Sequence, residues 1–159
     1  MTAFVPIIMG SKSDLEHGRK VAAALGELGI DSEIRVGSAH KSPAHLLEVL
    51  AAYEADPRPK VYVTIAGRSN ALSGFADAQV SAPVIACPPL SSTFAGADIY
   101  SSLRMPGGVA PAVVLDPAGA ALLAAKILGL GDPALRERVV ALQQHNLDRI
   151  MSDDQEIGD

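Results

Sequence analysis

The sequence is poor in cysteine and in aromatic residues. Its 159 residues include one cysteine, three phenylalanines, three tyrosines and no tryptophan. A single thiol cannot form an internal disulfide or a cysteine-based metal site, which is typical of proteins from a reducing compartment. A chain of this length can bury a hydrophobic core without such cross-links. Because 48% of the residues are hydrophobic, we expect a core of Ala, Val, Leu and Ile.

The sequence also lacks a basic excess and a long apolar segment. Its net charge is -5 and its 13 Lys and Arg residues are scattered, so we expect no nucleic-acid partner. No stretch approaches the roughly 20 apolar residues of a membrane-spanning helix, and no basic leader precedes the first apolar stretch. These absences predict a cytoplasmic protein without a membrane partner.

Short apolar runs alternate with amphipathic segments along most of the chain. The runs predict five strands, and the segments between and after them predict three helices that end at glycine or begin at proline. The predicted strands are 4–9, 32–36, 61–66, 84–87 and 112–115, and the predicted helices are 15–28, 43–53 and 117–128. Ser42 is the expected cap of the second helix. Alternating strands and helices favour an α/β fold, a three-layer doubly wound (flavodoxin-like) parallel sheet.

One further amphipathic helix is predicted at the end of the chain, over residues 132–151. Its apolar stripe comprises Leu135, Val139, Leu142 and Leu147. Because the doubly wound core is complete without it, this helix is a candidate for packing on a neighbouring subunit. We therefore predict a single α/β domain over residues 1–151 and a frayed acidic tail over residues 152–159.

Polar loops follow the first four predicted strands. In a doubly wound sheet, ligands bind at the carboxyl ends of the strands. The loops that begin at Gly10, Gly37, Gly67 and Pro88 should therefore converge on one crevice.

The first loop contains the sequence GSKSD, from Gly10 to Asp14. Gly10 permits a tight turn, Ser11 and Ser13 offer hydroxyls, and backbone N–H groups at a helix start attract anions such as phosphate. Asp14 could accept hydrogen bonds from sugar hydroxyls. The alternative is an ordinary helix cap. Because the loop matches neither a Walker sequence nor G-x-G-x-x-G, it does not indicate ATP or a dinucleotide.

The second loop contains GSAHKSP, residues 37–43, and carries the candidate proton-transfer group. His40 is flanked by Ser38, Ala39 and Lys41. Its unperturbed pKa near 6.5 suits proton exchange at neutral pH, and Lys41 could neutralise a phosphate or a carboxylate. The alternative is a helix-entry loop with an exposed histidine. The other histidines, His17, His45 and His145, fall within predicted helices and are expected at the surface.

The third and fourth loops supply further polar groups and sharp turns. In AGRSNALSG, residues 66–74, Gly67 allows close backbone approach, and Arg68, Ser69 and Asn70 present a cation, a hydroxyl and an amide. A glycine turn followed by a helix cap is the alternative. The sequence CPPL, residues 87–90, follows strand four, and MPGG at 105–108 could form a lid. Cys87, with no histidine near it in sequence, is interpreted as a buried structural thiol.

The ordered set GSKSD, SAHKSP, AGRSN, CPPL and SSLRMPGG resembles the 5-aminoimidazole ribonucleotide (AIR) carboxylase family of purine biosynthesis. The resemblance covers residues 4–130. In the branch that rearranges N5-carboxyaminoimidazole ribonucleotide, the second loop reads SAHR and the third contains a histidine. Here they read SAHK and GRSN, with no histidine between His45 and His145. The sequence therefore resembles the branch that carboxylates AIR directly with carbon dioxide, which is also fused into the animal bifunctional enzyme.

The resemblance implies a small-molecule substrate, no cofactor, no metal and a set of residue roles. Carbon four of AIR attacks carbon dioxide, and His40 takes up the proton that this carbon then loses. The resemblance implies that Ser11, Ser38 and Lys41 bind the phosphate or a nearby anionic group. Ser13 and Asp14 contact the ribose. Backbone near Gly67 and Met105 frames the ring, and carbon dioxide lies near His40, Arg68, Ser69 and Asn70; Gly10, Ala39 and Leu72 complete the implied substrate contacts. The family is homo-oligomeric, so an octamer is expected, with a tetramer or dimer as alternatives.

Three other functions compete with direct carboxylation. The nearest is the mutase activity of the sister branch, which would use the same fold and the same His40. Another is a non-catalytic flavodoxin-like module that binds a nucleotide or flavin, although the few aromatic residues disfavour it. The last is a purely structural oligomeric subunit, which would leave the polar loops unexplained.

Overall fold

Five parallel strands form one sheet in the computed structural model, which describes residues 2–158. The strands are β1 (Phe4–Met9), β2 (Asp31–Val36), β3 (Tyr62–Ile65), β4 (Val84–Ala86) and β5 (Ala112–Val113). Their order is β2-β1-β3-β4-β5, and all neighbours pair in parallel. This is the predicted flavodoxin-like arrangement, in which the strand order reverses between β1 and β3.

Helices cover both faces of the sheet, as a parallel sheet requires. The helices are α1 (Leu15–Glu27), α2 (Pro43–Glu54), α3 (Leu72–Asp77), α4 (Tyr100–Leu103), α5 (Pro117–Leu128) and α6 (Pro133–Gly158). Side chains of β1 alternate between the two layers: Ile7 joins the cluster under α1 and α5, and Ile8 joins the cluster under α2 and α3. Both are fully buried, so β1 is an interior strand covered on both faces, as its unbroken apolar sequence indicates.

Alanine brings one helix layer close to the sheet. Four alanines of α5 are completely buried, namely Ala120, Ala121, Ala124 and Ala125. Asp116 begins this helix by accepting a hydrogen bond from the Gly119 N–H at 2.7 Å, and Pro117 occupies the first helical position. Small side chains on the inner face thus replace the aromatic residues that the sequence lacks.

Most predicted elements are confirmed to within two residues at each end, but the region after β4 is more structured than predicted. The sequence suggested an extended proline segment and a sharp turn, whereas the structure forms 3₁₀ turns at Ser92–Phe94 and Ala97–Ile99 and the short helix α4. Their lengths of three to four residues are too short for a periodic hydrophobic pattern. A further 3₁₀ turn, Lys12–Asp14, precedes α1.

The last helix is longer than predicted. The expected boundary at residue 151 and the frayed tail at 152–159 are wrong for the part that the structure describes, because α6 continues to Gly158. No proline or glycine interrupts residues 134–157, so nothing in the backbone stops the helix there. Leu135 and Val139 are buried, whereas Leu147 is 51% exposed, so the apolar stripe leaves the core before its end. No helix within residues 2–158 is long and apolar enough to cross a membrane.

Candidate functional site

The loops after β1, β2, β3 and β4 enclose one crevice, as predicted from the strand order. Its volume is about 620 Å³, within the usual range for small-molecule sites. It lies at the carboxyl ends of the strands, beside the reversal between β1 and β3. The lining residues are Gly10, Ser11, Ser13, Asp14, Ser38, Ala39, His40, Lys41, Ala66, Gly67, Arg68, Ser69, Leu72, Pro89, Leu90 and Ser91.

The loop after β1 presents two hydroxyls and a carboxyl group. The Ser11 hydroxyl caps the following 3₁₀ turn, since its Oγ accepts from the Ser13 N–H at 3.2 Å and from the Ser13 hydroxyl at 3.0 Å. Both serines stay exposed. Burial raises the pKa of Asp14, opposed by a backbone hydrogen bond from Ser11 and by His17. Capping and ligand binding are therefore compatible uses of this loop.

The loop after β2 carries His40 and Lys41 at its tip. It is fixed internally: the Lys41 N–H donates to Ser38 Oγ at 3.2 Å, and the Ser38 N–H donates to Ser42 Oγ at 3.1 Å. Ser42 occupies the N-cap position of α2 but makes no capping hydrogen bond, so the predicted side-chain cap is absent. Its hydroxyl instead closes the loop that displays His40.

Gly37 allows this loop to pass close to α2. Its N–H donates to the Met9 carbonyl at 2.9 Å. A Cβ at this position would lie 2.9 Å from Leu46 Cδ1, closer than carbon atoms approach without a shift. The absence of a side chain thus lets the His40 loop leave β2 directly above the buried Leu46.

Three cationic or titratable side chains line the crevice without protein partners. His40, Lys41 and Arg68 are exposed. Within residues 2–158, their side chains form no hydrogen bond or salt bridge. In a chain of net charge -5, the two cations Lys41 and Arg68 suit an anionic ligand, which would supply the missing partners.

The loop after β3 has an unusual backbone at Arg68. Its φ of 57° lies in the left-handed region, which costs a residue with a Cβ about 1–2 kcal/mol. The Arg68 N–H donates to Asp98 Oδ2 at 3.1 Å, and Ser101 Oγ lies 3.0 Å from the Arg68 carbonyl. The surrounding protein therefore holds this conformation in place.

Asn70 faces the protein interior rather than the crevice. It is 4% exposed, and its amide donates to Ser73 Oγ at 2.7 Å and to Ser102 Oγ at 2.9 Å. Its Oδ1 accepts from the Ser73 N–H at 3.1 Å. The structure therefore does not bring Asn70 together with the other predicted site residues. Sequence reasoning could not detect this because both serine partners that fix the amide lie in helices that it did not predict.

Met105 is the second predicted site residue that does not line the crevice. A Cβ on Gly74 would lie 2.9 Å from Met105 Sδ, so the thioether packs against α3. Conversely, Ala66, Pro89, Leu90 and Ser91 line the crevice without having been chosen from the sequence. Their position directly after β3 and β4 was the available signal, because every loop at this edge of the sheet faces the ligand side.

A buried histidine–cysteine pair lies outside the crevice lining. Cys87 is fully buried, and burial raises its pKa to about 12, so the thiol stays protonated at neutral pH as the structural interpretation requires. However, His17 Nε2 lies 3.3 Å from Cys87 Sγ. The prediction that His17 is a surface residue is wrong, since it is half-buried and desolvation lowers its pKa.

Among residues 2–158, no cluster of three or more His, Cys, Asp or Glu side chains could hold a metal ion.

Comparison with known proteins identifies close relatives of this chain. A family model described as AIR carboxylase matches residues 4–149. A phosphoribosylaminoimidazole carboxylase from Treponema denticola is 53% identical over 99% of both chains. The human bifunctional phosphoribosylaminoimidazole carboxylase/phosphoribosylaminoimidazole succinocarboxamide synthetase is 46% identical over 80% of this chain and 30% of its own length. The crystal structure of Treponema denticola PurE superposes with a TM-score of 0.95 at 53% identity, covering 97% of this chain and 98% of that one.

Proposed function

The chain belongs to the AIR carboxylase family, and from this premise we propose that it adds carbon dioxide to carbon four of 5-aminoimidazole ribonucleotide. The product is 4-carboxy-5-aminoimidazole ribonucleotide, an intermediate of purine biosynthesis. The observation that carries the proposal is the crevice that His40 lines together with the serine-rich first loop and the Arg68 loop. The names of the relatives at 53% and 46% identity support the carboxylase branch.

The proposed reaction needs one base and two well-oriented reactants. Electrons of the amino-substituted imidazole ring form the new bond from carbon four to carbon dioxide, which becomes a carboxylate. Carbon four then holds a proton and the ring has lost its aromaticity. Transfer of that proton to the neutral His40 imidazole returns the electron pair to the ring. His40 is the base in this direction and the acid in reverse, and the reaction consumes no cofactor.

The phosphate and the ribose of the substrate are assigned to the loops after β1 and β2. We assign the phosphate to Ser11, Ser38 and Lys41, because these three residues bring hydroxyl and ammonium donors to the crevice lining. The ribose hydroxyls go to Ser13 and Asp14. The ring is assigned to the Gly67 backbone, Ala39 and Leu72.

Carbon dioxide and the new carboxylate are assigned to His40, Arg68 and Ser69. The Arg68 side chain has no hydrogen-bond or salt-bridge partner within residues 2–158, so its guanidinium can pair with a developing carboxylate. General base catalysis contributes typically 10²- to 10⁴-fold. Orientation of the reactants and exclusion of water must supply the remaining acceleration.

We propose that exclusion of water requires a second subunit, because His40 is exposed in the single chain. Four large apolar side chains lie exposed after β4, and the first of them lines the crevice: Leu90, Phe94, Tyr100 and Leu103. Apolar surface of this kind is typical of a subunit contact. A homo-oligomer, with an octamer as the expected state, would cover it, and sedimentation of the purified protein measures that number. A cytoplasmic location, where purine precursors are made and Cys87 stays reduced, completes the proposal.

Two turnover measurements test the proposed reaction. The first supplies AIR with excess bicarbonate, and the second supplies N5-carboxyaminoimidazole ribonucleotide with carbon dioxide removed. We expect product in the first alone. Product in the second alone would make the protein a mutase, and no product in either would favour a non-catalytic binding module.

A further inference from the structure

The Arg68 loop is held by a segment that follows it by about 30 residues. Asp98 lies at the second position of the 3₁₀ turn Ala97–Ile99, and its Oδ2 accepts the Arg68 N–H at 3.1 Å. Ser101, in α4, accepts the Asn70 N–H at 2.9 Å and has its hydroxyl 2.8 Å from the Asp98 carbonyl. Both backbone N–H groups on either side of Ser69 therefore end on this one segment.

These contacts decide which way consecutive side chains face. Arg68 and Ser69 line the crevice, whereas Asn70 is buried. Such a reversal within three residues requires a sharp turn, which the left-handed backbone of Arg68 provides. Because an arginine does not favour this conformation by itself, an external acceptor for its N–H is needed to hold the turn.

The backbone on the other side of the turn is also confined. A Cβ on Gly67 would lie 3.0 Å from the Pro89 carbonyl oxygen and 3.8 Å from Asp98 Oδ2. The loop thus passes between Pro89 and Asp98 with no room for a side chain. A shift of the Asp98 carboxylate would move the wall of the crevice at Gly67 and Arg68 together.

The second oxygen of Asp98 indicates that this residue is not present for stability alone. Oδ1 is buried without a hydrogen-bond partner within residues 2–158. A buried, unpaired carboxylate oxygen is unfavourable for folding. The desolvation of Oδ1 therefore offsets the stabilisation from the hydrogen bond that Oδ2 accepts. Residues that are unfavourable locally are expected where function requires them.

We propose that Asp98 is a positioning residue of the carboxylation site. It does not line the crevice and acts by holding the Arg68 backbone, so that Arg68 and Ser69 meet the incoming carbon dioxide and the new carboxylate. The proposal rests on the proposed function, since it assigns that loop to the reacting end of the substrate. It predicts a defect in turnover rather than in the affinity for the nucleotide.

The test compares Asp98→Ala with Asp98→Asn, whose side-chain oxygen can still accept the Arg68 N–H. We expect Asp98→Ala to lower kcat by about 10- to 100-fold, the size of effect that an ångström of misplacement produces. The KM for AIR should stay within about threefold, because the phosphate loops are unaltered. Asp98→Asn should recover most of the lost kcat. Hydrogen exchange at the Arg68 amide should quicken in Asp98→Ala and slow again in Asp98→Asn.

Asp132→Ala is the matched control. Asp132 also accepts one backbone N–H, that of Leu135 at 3.1 Å, but it lies at the start of α6 and outside the crevice lining. A kcat in Asp98→Ala equal to that of Asp132→Ala would overturn the proposal. So would an Asp98→Asn variant as impaired as Asp98→Ala, because the carboxylate charge would then matter rather than the hydrogen bond. If the unmodified protein does not turn over AIR, the proposed function fails, and the exchange measurement still decides whether Asp98 holds the loop.

Discussion

Substitution of Asn70 tests whether its side chain binds the ligand, as the sequence predicts, or stabilises the interior, as the structure shows. The sequence assigns it to the ligand, whereas the structure buries it among Ser73 and Ser102. Asn70→Ala removes three hydrogen bonds of 2.7, 2.9 and 3.1 Å. At about 1 kcal/mol each, their loss amounts to about 3 kcal/mol of the free energy of unfolding.

The buried polar groups that these three bonds leave unpaired add a desolvation penalty to that loss. The Ser73 N–H loses its side-chain acceptor, and the Ser73 hydroxyl keeps only its contact with Thr64 at 2.9 Å. Both groups are buried, so water cannot readily replace the amide. We therefore expect a decrease of about 3–4 kcal/mol, at the upper end of what single substitutions cause.

Urea unfolding at fixed protein concentration measures this decrease, with Ser69→Ala as the control. Ser69 is the exposed neighbour of Asn70 and lines the crevice. Its truncation should alter the unfolding free energy by less than about 0.5 kcal/mol. If Asn70→Ala were as stable as Ser69→Ala and raised the KM for AIR instead, the inward orientation and the reasoning from it would be refuted.

Three further predictions concern the base, a glycine and the buried acids. His40→Asn and His40→Gln should still bind AIR in calorimetry but lose about 10²- to 10⁴-fold in kcat, and unchanged turnover would remove His40 from the mechanism. Gly67→Ala places a Cβ 3.0 Å from a backbone oxygen and should lower kcat at least tenfold. The control is Gly26→Ala, whose Cβ meets nothing within 4 Å and which should stabilise the protein by about 0.5–1 kcal/mol. Equal kinetics in the two variants would contradict the close approach of the Gly67 backbone to Pro89. Burial raises the pKa values of Cys87 and Tyr53 to about 12, so both groups ionise more readily in the unfolded chain and the free energy of unfolding should fall between about pH 9 and 12. Urea unfolding across that range should show a shallower fall for Cys87→Ser, and identical slopes would contradict the shift at Cys87.

The sequence was sufficient for the sheet because its strands are short apolar runs with glycine or proline boundaries. The alternation of strands and helices then fixed the edge on which ligands bind, and 12 of the 14 predicted site residues line the crevice there. These inferences depend on local sequence patterns and on the rule that ligands bind at the carboxyl ends of parallel strands, and both apply to a sequence alone.

Long-range polar contacts could not be predicted in the same way. The Asp98 carboxylate meets the Arg68 N–H across 30 positions, and His17 meets Cys87 across 70. No spacing pattern in the sequence predicts such pairs, because they depend on how distant segments of the chain pack together. The extent of α6 was missed for another reason: acidic, polar residues suggested a tail, although none of them breaks a helix.

The single buried thiol makes the protein its own reporter of transient opening. Cys87 is the only site in the chain that a thiol reagent can label, and its sulfur is enclosed between the end of β4, His17 of α1 and the Leu115 carbonyl. A reagent reaches it only when the segments that cover it, α1 among them, separate from the sheet. When reclosing is fast, the labelling rate is therefore proportional to the population of that open form. Because α1 starts in the loop that carries Ser11 and Ser13, slower labelling in the presence of a nucleotide would measure how far ligand binding suppresses the motion.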